Sequence, residues 1–527
     1  MTRREGREES MKLNNQKQLI FFGLVLAGVL GWQKLYLEPR AKQQAALEQA
    51  GTAAVNQTLA PAIEAKPVQS QALDLQLGQA SVGSGAQFFS GWKLNGYKKK
   101  NLNQVDLASV TELEQPGGLQ LSFDSPELAY LSGAAGELSG SHWKYEDSNI
   151  LLTREFQSSA NQPYVNVVIR AQFKKQTPKH VFVWMQGKIN PDTETGEDRA
   201  IVYYSQKEAS QIALKELPKL TEAAAPVKWV GLTGRYFLFS WMNETKSEPS
   251  LNTDPWALVQ PMGADQARVS MVYPIHGNSI EIKGKALFVP KELTLLRSID
   301  PTLDHTVDFG FFTIFAYPLL KFLKWLFSFT GNYGVAIILL TLALKIVTYP
   351  LTYKSVKAMK QMSKIQPQLE KLKEKYKDDK ETLNKEMLGM MKNQGYNPMA
   401  GCLPVLAQIP VFFALNRVLY VAIELYQAPF AFWVHDLSAK DPYYVTPVLL
   451  SVIMFIQQKM MPNTATDPMQ AKMIQFMPLI FGIFMLTLPS GLTLYMLVNA
   501  LAGIAQQFIL NRKFDTGQVA PIVAKAR

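Results

Sequence analysis

Residues 333–351 read YGVAIILLTLALKIVTYPL. At helical rise this stretch is about one bilayer long. It carries a single charge, Lys345. Thr341, Lys345 and Tyr349 follow one another at intervals of four, so a helix places them on one polar stripe. Pro350 marks the expected inner end of the helix. A lysine this deep in an apolar span costs about 3 kcal/mol on insertion scales. Two readings stay open: Lys345 snorkels to the near interface, or it faces a polar cavity. Other expected spans also carry polar groups, at Gln408, Gln457, Gln458, Thr493, Asn499 and Gln506. Tyr495, Asn499 and Gln506 fit one helix face. Several polar faces converge only around protein or water, which favours the cavity.

Working outward, further apolar runs cover 402–426, 443–461, 474–488 and 491–510, the last two joined by Pro489-Ser490-Gly491. An earlier run at 18–37 follows a basic segment, residues 1–17, and lacks a small-residue cleavage site, so it reads as a signal anchor rather than a cleaved signal. Met11 is an alternative start. The connection 427–442 has one Lys and no Arg, whereas the tail 512–527 holds Arg512, Lys513, Lys525 and Arg527. The excess of positive charge therefore predicts six spans with both termini cytoplasmic. Residues 353–395 hold eleven Lys against six acidic residues and predict a cytoplasmic helical hairpin. Its lysines, among them Lys357, Lys360, Lys364 and Lys371, form a solvated face or meet lipid headgroups or a ribosome. Phosphate-backbone binding would also use such charge, but beside apolar spans the membrane reading is the better one. Residues 306–330 contain Pro318, Lys321, Lys324 and Trp325 in an apolar run; an interfacial amphipathic helix is expected, with a full span as alternative.

Residues 38–85 are rich in Ala, Gln, Ser and Gly and are expected to be a flexible tether. Residues 86–305 change character. Tyr164–Arg170, His180–Met185, Ile201–Tyr204, Arg235–Trp241, Arg268–Tyr273 and Ile280–Val289 are β-rich runs separated by polar turns, which predicts an all-β sandwich. With the anchor entering from the cytosol this domain is periplasmic. Its aromatics are read as core, with sugar binding or an enzymatic role as the alternative.

Little points to catalysis. The five histidines, His142, His180, His276, His305 and His435, lie outside the expected spans. There is no H-E-x-x-H, G-x-S-x-G or Walker A pattern, so no metal, no cofactor and no enzymatic activity are expected. The single cysteine, Cys402, excludes an internal disulfide. Met399-Ala400-Gly401-Cys402 looks like a lipid-attachment box but is internal, and reads as a buried small residue.

Several strings resemble the YidC/Oxa/Alb family of membrane protein insertases, in the longer Gram-negative form. They are Tyr349-Pro350-Leu351-Thr352, Gly401-Cys402-Leu403-Pro404, Gln408-Ile409-Pro410-Val411-Phe412, Gln427-Ala428-Pro429-Phe430, His435-Asp436-Leu437-Ser438, Asp441-Pro442-Tyr443-Tyr444 and Pro489-Ser490-Gly491-Leu492. The resemblance implies a polytopic α-helical membrane protein with a core, residues 331–511, of five helices around a hydrophilic groove. It also implies a periplasmic β-supersandwich, and an amphipathic helix on the outer leaflet. The groove would be lined by Lys345, Thr341, Tyr349, Gln408, Asn499 and Gln506. Phe412, Tyr495 and Met496 would form an apolar slide. The family usually has Arg where this chain has Lys345; the charge is kept but the planar fork is lost.

The implied activity is insertion and folding of nascent inner-membrane proteins, alone or with the Sec translocon. The ribosome, the signal recognition particle receptor and the lipid bilayer are further expected partners, and no specific nucleic acid is. Rival readings are a secondary transporter using Lys345 and Glu424, against which no inverted repeat is visible, and an envelope assembly factor acting through the β-domain.

Overall fold

The computed structural model describes residues 69–98, 104–106, 119–188, 200–206, 208–213, 221–223, 225–245, 254–262, 266–376, 379–393, 403–460 and 468–515. The expected anchor at 18–37 lies outside the described residues. Two compact units emerge, one of strands up to Asp308 and one of helices from Phe309.

In the first unit, β1 (Ser70–Leu75), β2 (Gly78–Gly83), β3 (Gly91–Lys98) and β4 (Gln104–Asp106) form an antiparallel sheet. The remaining strands are β5 (Gln120–Phe123), β6 (Glu137–Ser139), β7 (His142–Glu146), β8 (Ile150–Gln157), β9 (Tyr164–Phe173), β10 (His180–Lys188), β11 (Ala200–Ser205), β12 (Glu208–Ala213), β13 (Thr221–Ala223), β14 (Val227–Thr233), β15 (Phe237–Asn243), β16 (Trp256–Pro261), β17 (Gln266–Pro274) and β18 (Ser279–Pro290). They form a five-stranded sheet, β13-β16-β17-β10-β5, and a nine-stranded one, β12-β11-β14-β15-β18-β9-β8-β7-β6. The two meet through β14, which packs on β10 and β17. Along β8 and β9 buried residues alternate with partly exposed ones, the period of a strand with one face on a core. Phe88 and Phe89 pack edge-on to Phe156, and Phe88 also to Trp241, so these aromatics are core rather than a ligand surface. A short helix, α1 (Leu293–Ile299), follows the last strand.

The sandwich begins earlier than the sequence suggests. Residues 70–83 are strands, not tether. Leu73, Leu75, Ala80 and Val82 are buried, so period-two alternation decides the structure despite a linker-like composition.

Arg154 is buried beneath this sheet system. Its guanidinium lies 4.0 Å from the Trp143 ring and 4.7 Å from that of Phe88, and donates to the Ala86 carbonyl at 2.7 Å. Among the described residues no carboxylate pairs with it. Burial pushes the group well below its ordinary range.

The second unit begins with α2 (Thr313–Thr330), preceded by a short turn at Gly310–Phe312. Ala316, Leu320, Leu323 and Leu326 form its buried stripe, while Ile314, Phe315, Trp325 and Phe329 are exposed. Gly331, at φ 63°, ends it in the left-handed conformation. Asn332 then caps α3 (Tyr333–Lys375), accepting from Val335 N at 3.1 Å and donating to the Phe430 carbonyl at 2.9 Å.

The α3 helix has 43 residues, about 64 Å at 1.5 Å per residue, and does not stop at Pro350. Proline withholds one N–H from the ladder. Nearby hydroxyls bind carbonyls here: Thr348 Oγ1 donates to Leu344 O at 2.8 Å, and Thr352 Oγ1 to Thr348 O at 3.2 Å. Those carbonyls are not Ile346 O, the acceptor the missing N–H would have met; the helix continues past Pro350 with its neighbours packed around it. Span and hairpin arm are thus one helix, and α4 (Lys380–Asn393) returns after Asp379, whose carboxylate accepts from Thr382 N and Oγ1. The bundle continues with α5 (Leu403–Val421), α6 (Val445–Met460), α7 (Pro468–Met485) and α8 (Ser490–Asp515). Among the described residues three stretches, Gly310–Thr330, Tyr333–Lys357 and Ser490–Phe514, are long and apolar enough to cross a membrane; Gln408–Val421, Val445–Met460 and Phe476–Met485 are shorter apolar helices.

One end of the bundle is tied by a clasp. Ser490 N and Oγ both donate to Ala439 O at 2.7 Å, and Gly491 N to Leu437 O at 2.8 Å. Asp441 is buried and accepts from Thr446 N (2.8 Å), Thr446 Oγ1 (2.7 Å), Tyr443 N (3.0 Å) and Trp433 Nε1 (3.1 Å). Thr446 Oγ1 lies 3.1 Å from Thr493 Oγ1, which joins α6 to α8. Burial raises the Asp441 carboxyl, but these donors outweigh it and hold the group below its ordinary value.

Two outcomes are expected. Arg154→Ala should lower stability of the full chain by about 2–4 kcal/mol, whereas Arg154→Met, which refills the space without a charge, should cost less than half as much. Tryptophan fluorescence during denaturant unfolding measures both, and equal losses would contradict the account. Asp441 has a depressed carboxyl, so its contribution is present above its ordinary value and is lost as pH falls below about 4. Asp441→Asn should therefore cost about 1–3 kcal/mol at neutral pH and flatten the acid limb of a stability–pH curve; an unchanged acid limb would contradict it.

Candidate functional site

Close backbone packing joins α2 to α3, α3 to α8, α8 to α6 and α6 to α7. Lys345 on α3, Gln457 on α6, and Gly503 and Gln506 on α8 meet within this row. Gly503 makes the meeting possible. A Cβ added there would lie 3.0 Å from Gln457 Nε2 and 3.7 Å from Lys345 Nζ. Both side chains thus end over a bare stretch of α8. Gln506 Nε2 donates to the Lys345 backbone carbonyl at 3.1 Å, fixing α3 against α8 beside the lysine. Lys345 is half-buried, and among the described residues no carboxylate pairs with it. A partly desolvated ammonium without a counter-ion attracts anions more strongly than one in water.

The expected groove residues do not all converge. Thr341 is fully buried and its hydroxyl donates to Ile337 O at 2.7 Å, within its own helix. Tyr349 is exposed. Gln408 on α5 faces the Tyr495 hydroxyl of α8. Asn499 is half-buried, four residues before Gly503 on the same α8 stripe. The three residues expected to form an apolar slide face different neighbours. Phe412 is half-buried and packs edge-on to Phe413. Tyr495 is buried. Met496 packs into the apolar cluster of Leu450, Met485, Leu497 and Ala500. In the hairpin arm Lys357 is half-buried and Lys371 exposed, while the side chains of Lys360 and Lys364 lie outside the described residues.

Sequence reasoning missed Gly503 and gave Gln457 no place in the site. The spacing Asn499, Gly503, Gln506 could have revealed the first, since it continues the polar stripe of α8 through a residue without a side chain. Nothing on α6 alone singles out Gln457 from Gln458. Among the described residues no group of three or more His, Cys, Asp or Glu could hold a metal ion.

Comparison with known proteins places these features. Residues 325–517 match the family model described as 60Kd inner membrane protein, and residues 152–322 match the one described as YidC periplasmic domain. The chain is similar to membrane protein insertase YidC of Campylobacter jejuni, 47% identical over 234 residues, 44% of each chain. It is 39% identical over 315 residues to membrane protein insertase YidC of Geobacter sulfurreducens, covering 60% of this chain and 59% of the relative. The matches thus span about half the length of these curated relatives. A crystal structure of an active YidC insertase with its first transmembrane domain resolved aligns over 84% of this chain and 92% of that one, at 18% identity and a TM-score of 0.37. Two family models on consecutive stretches, one for the β-sandwich and one for the helical bundle, establish that the chain belongs to the YidC family of membrane proteins.

Proposed function

We propose that this protein inserts nascent proteins into a bacterial inner membrane and helps them fold there. The observation that carries the reading is Lys345, half-buried and, among the described residues, without a carboxylate partner, where three helices meet over Gly503. A substrate's hydrophilic tail must cross an apolar layer about 30 Å thick. A polar recess reaching part of the way shortens that path. Lys345 draws acidic groups of the tail inward. Burial of about 20 apolar residues of the substrate's own span then supplies the driving force as it leaves sideways into lipid. Nothing in this step requires a nucleotide.

In this arrangement the chain spans the membrane six times, with the anchor at 18–37 as the first span and both termini cytoplasmic. The sandwich lies in the periplasm, and α2 rests in the outer interface, its aromatic face on lipid. The basic arm of α3 and α4 receives substrate or docks the ribosome. The Sec translocon and the signal recognition particle receptor are the partners such a role implies.

Lys345→Glu tests the charge. Reconstituted with single-span substrates, it should impair insertion of an acidic tail at least tenfold more than that of a neutral tail, about 1.4 kcal/mol of lost attraction. Equal impairment would remove charge attraction from the mechanism. Gly503→Leu should fill the space between Gln457 and Lys345 and cost about 1–3 kcal/mol of overpacking. Slower insertion of both tails, scored by protease protection, is the expected result. Unaltered insertion would show that the convergence is not used.

A further inference from the structure

The connection between α5 and α6 is built the wrong way round for a loop in water. Its two carboxylates are spent on the chain itself. Asp436 accepts from Gln427 N (3.1 Å), Ser438 N (2.8 Å) and Ser438 Oγ (2.6 Å), and Asp441 is the buried centre of the clasp. Its rings are turned out: Phe432 is 86% exposed, Tyr443 71% and Tyr444 47%. A loop that met only water would reverse this arrangement. The exposure is also enforced. Phe432 sits at φ 54° and Tyr444 at φ 56°, left-handed angles that glycine adopts freely and a bulky side chain does not. Such angles persist only where the surroundings impose them. Around Phe432, Phe430 N donates to Val434 O and Val434 N to Ala431 O, both at 3.0 Å. The Phe432 ring leans on that of Trp433, 5.9 Å between centroids, and Trp433 Nε1 is bonded to Asp441.

What covers these rings follows from their neighbours. Asn332 Nδ2 donates to Phe430 O at 2.9 Å, so the base of the turn is tied to the chain three residues beyond Phe329, an exposed ring of α2. On the other side Tyr443 and Tyr444 run directly into α6. The exposed face of α6, Val445, Val448, Leu449 and Val452, is apolar at helical spacing. In a chain that spans the membrane such a face is covered by lipid tails, and aromatic rings gather where tails give way to headgroups. We infer that Phe432, Tyr443 and Tyr444 are seated in the outer headgroup layer of the bilayer and moor the clasped end of the bundle there. The two strained residues hold their rings out towards lipid, and the hydrogen bonds of Asp436 and Asp441 hold the loop rigid behind them. This inference rests on the membrane-spanning arrangement proposed above and adds a lipid contact to the connection between α5 and α6.

The test places a nitroxide on single cysteines in the full-length chain carrying Cys402→Ser, reconstituted in liposomes of phosphatidylethanolamine and phosphatidylglycerol. Collision with oxygen, which dissolves in lipid, is compared with collision with a water-soluble nickel chelate. Val448→Cys marks the exposed apolar face of α6, and Asn278→Cys, on an exposed turn of the sandwich, marks water. Labels at Phe432→Cys and Tyr443→Cys should shift from the Asn278 value towards that of Val448, with more oxygen and less nickel contact. Tyr443 lies outside the left-handed region, so its variant decides the matter even if Phe432→Cys does not fold. Labels at Phe432 and Tyr443 that match Asn278, with Val448 in lipid, overturn the inference and make the rings a water-facing surface. A Val448 label that also sits in water would overturn the membrane-spanning arrangement itself, and the inference with it.

Discussion

A lysine carried on an apolar helix must find water, a counter-ion or polar neighbours. Lys345 has the last of these, and the bundle is arranged to supply them. α3 packs along α8 and α8 along α6, so that the Gln457 amide and the ammonium end over Gly503, while the Gln506 amide bonds the lysine's own carbonyl. Gly503, which has no side chain, gives both ends room. With any Cβ at Gly503, Gln457 Nε2 would be crowded at 3.0 Å. Gln506 reads the backbone of α3 at the lysine itself. The charge and the Gln457 donor are thus set by helix packing rather than by a loop.

The clasp at Asp441 answers a different need. Helix starts expose unmet N–H groups. Here Asp441 meets those of α6, while Ala439 and Leu437 carbonyls meet those of α8. The 437–441 segment therefore closes one end of the bundle with hydrogen bonds that leave few groups for a passing tail. The polar cluster lies well along α8, thirteen residues beyond its start at Ser490 for Gly503.

Much of this was legible in the sequence, and the exceptions have physical causes. Apolar runs mark the helices because nothing else of that length avoids water. The stripe of Thr341, Lys345 and Tyr349 marks the right helix, but only Lys345 of the three joins the cluster, since Thr341 bonds its own backbone and Tyr349 is exposed. Pro350 misleads because proline removes one hydrogen bond without having to end a helix that its neighbours hold in place, and α3 runs straight through it. Composition hides β1 and β2, whose alternation rests on Leu73, Leu75, Ala80 and Val82. Gly503 and Gln457 belong to a convergence of three helices, and no single helix contains that information. Arg154 escapes notice for a related reason: Trp143 stands opposite it on the neighbouring strand, but Phe88 and the Ala86 carbonyl come from a loop more distant in the sequence.

The central claim is that the space around Lys345 and Gly503 is open to water from the cytoplasmic side and receives the substrate tail. Replacing the single cysteine, Cys402, by Ser and introducing Gly503→Cys gives one thiol at that place. Labelling with a membrane-impermeant maleimide in sealed inverted vesicles tests the claim most directly. The account predicts labelling from the cytoplasmic face only, and protection by a stalled nascent membrane protein. A folded protein whose thiol reacts from neither face, or reacts equally with and without the nascent chain, would contradict it.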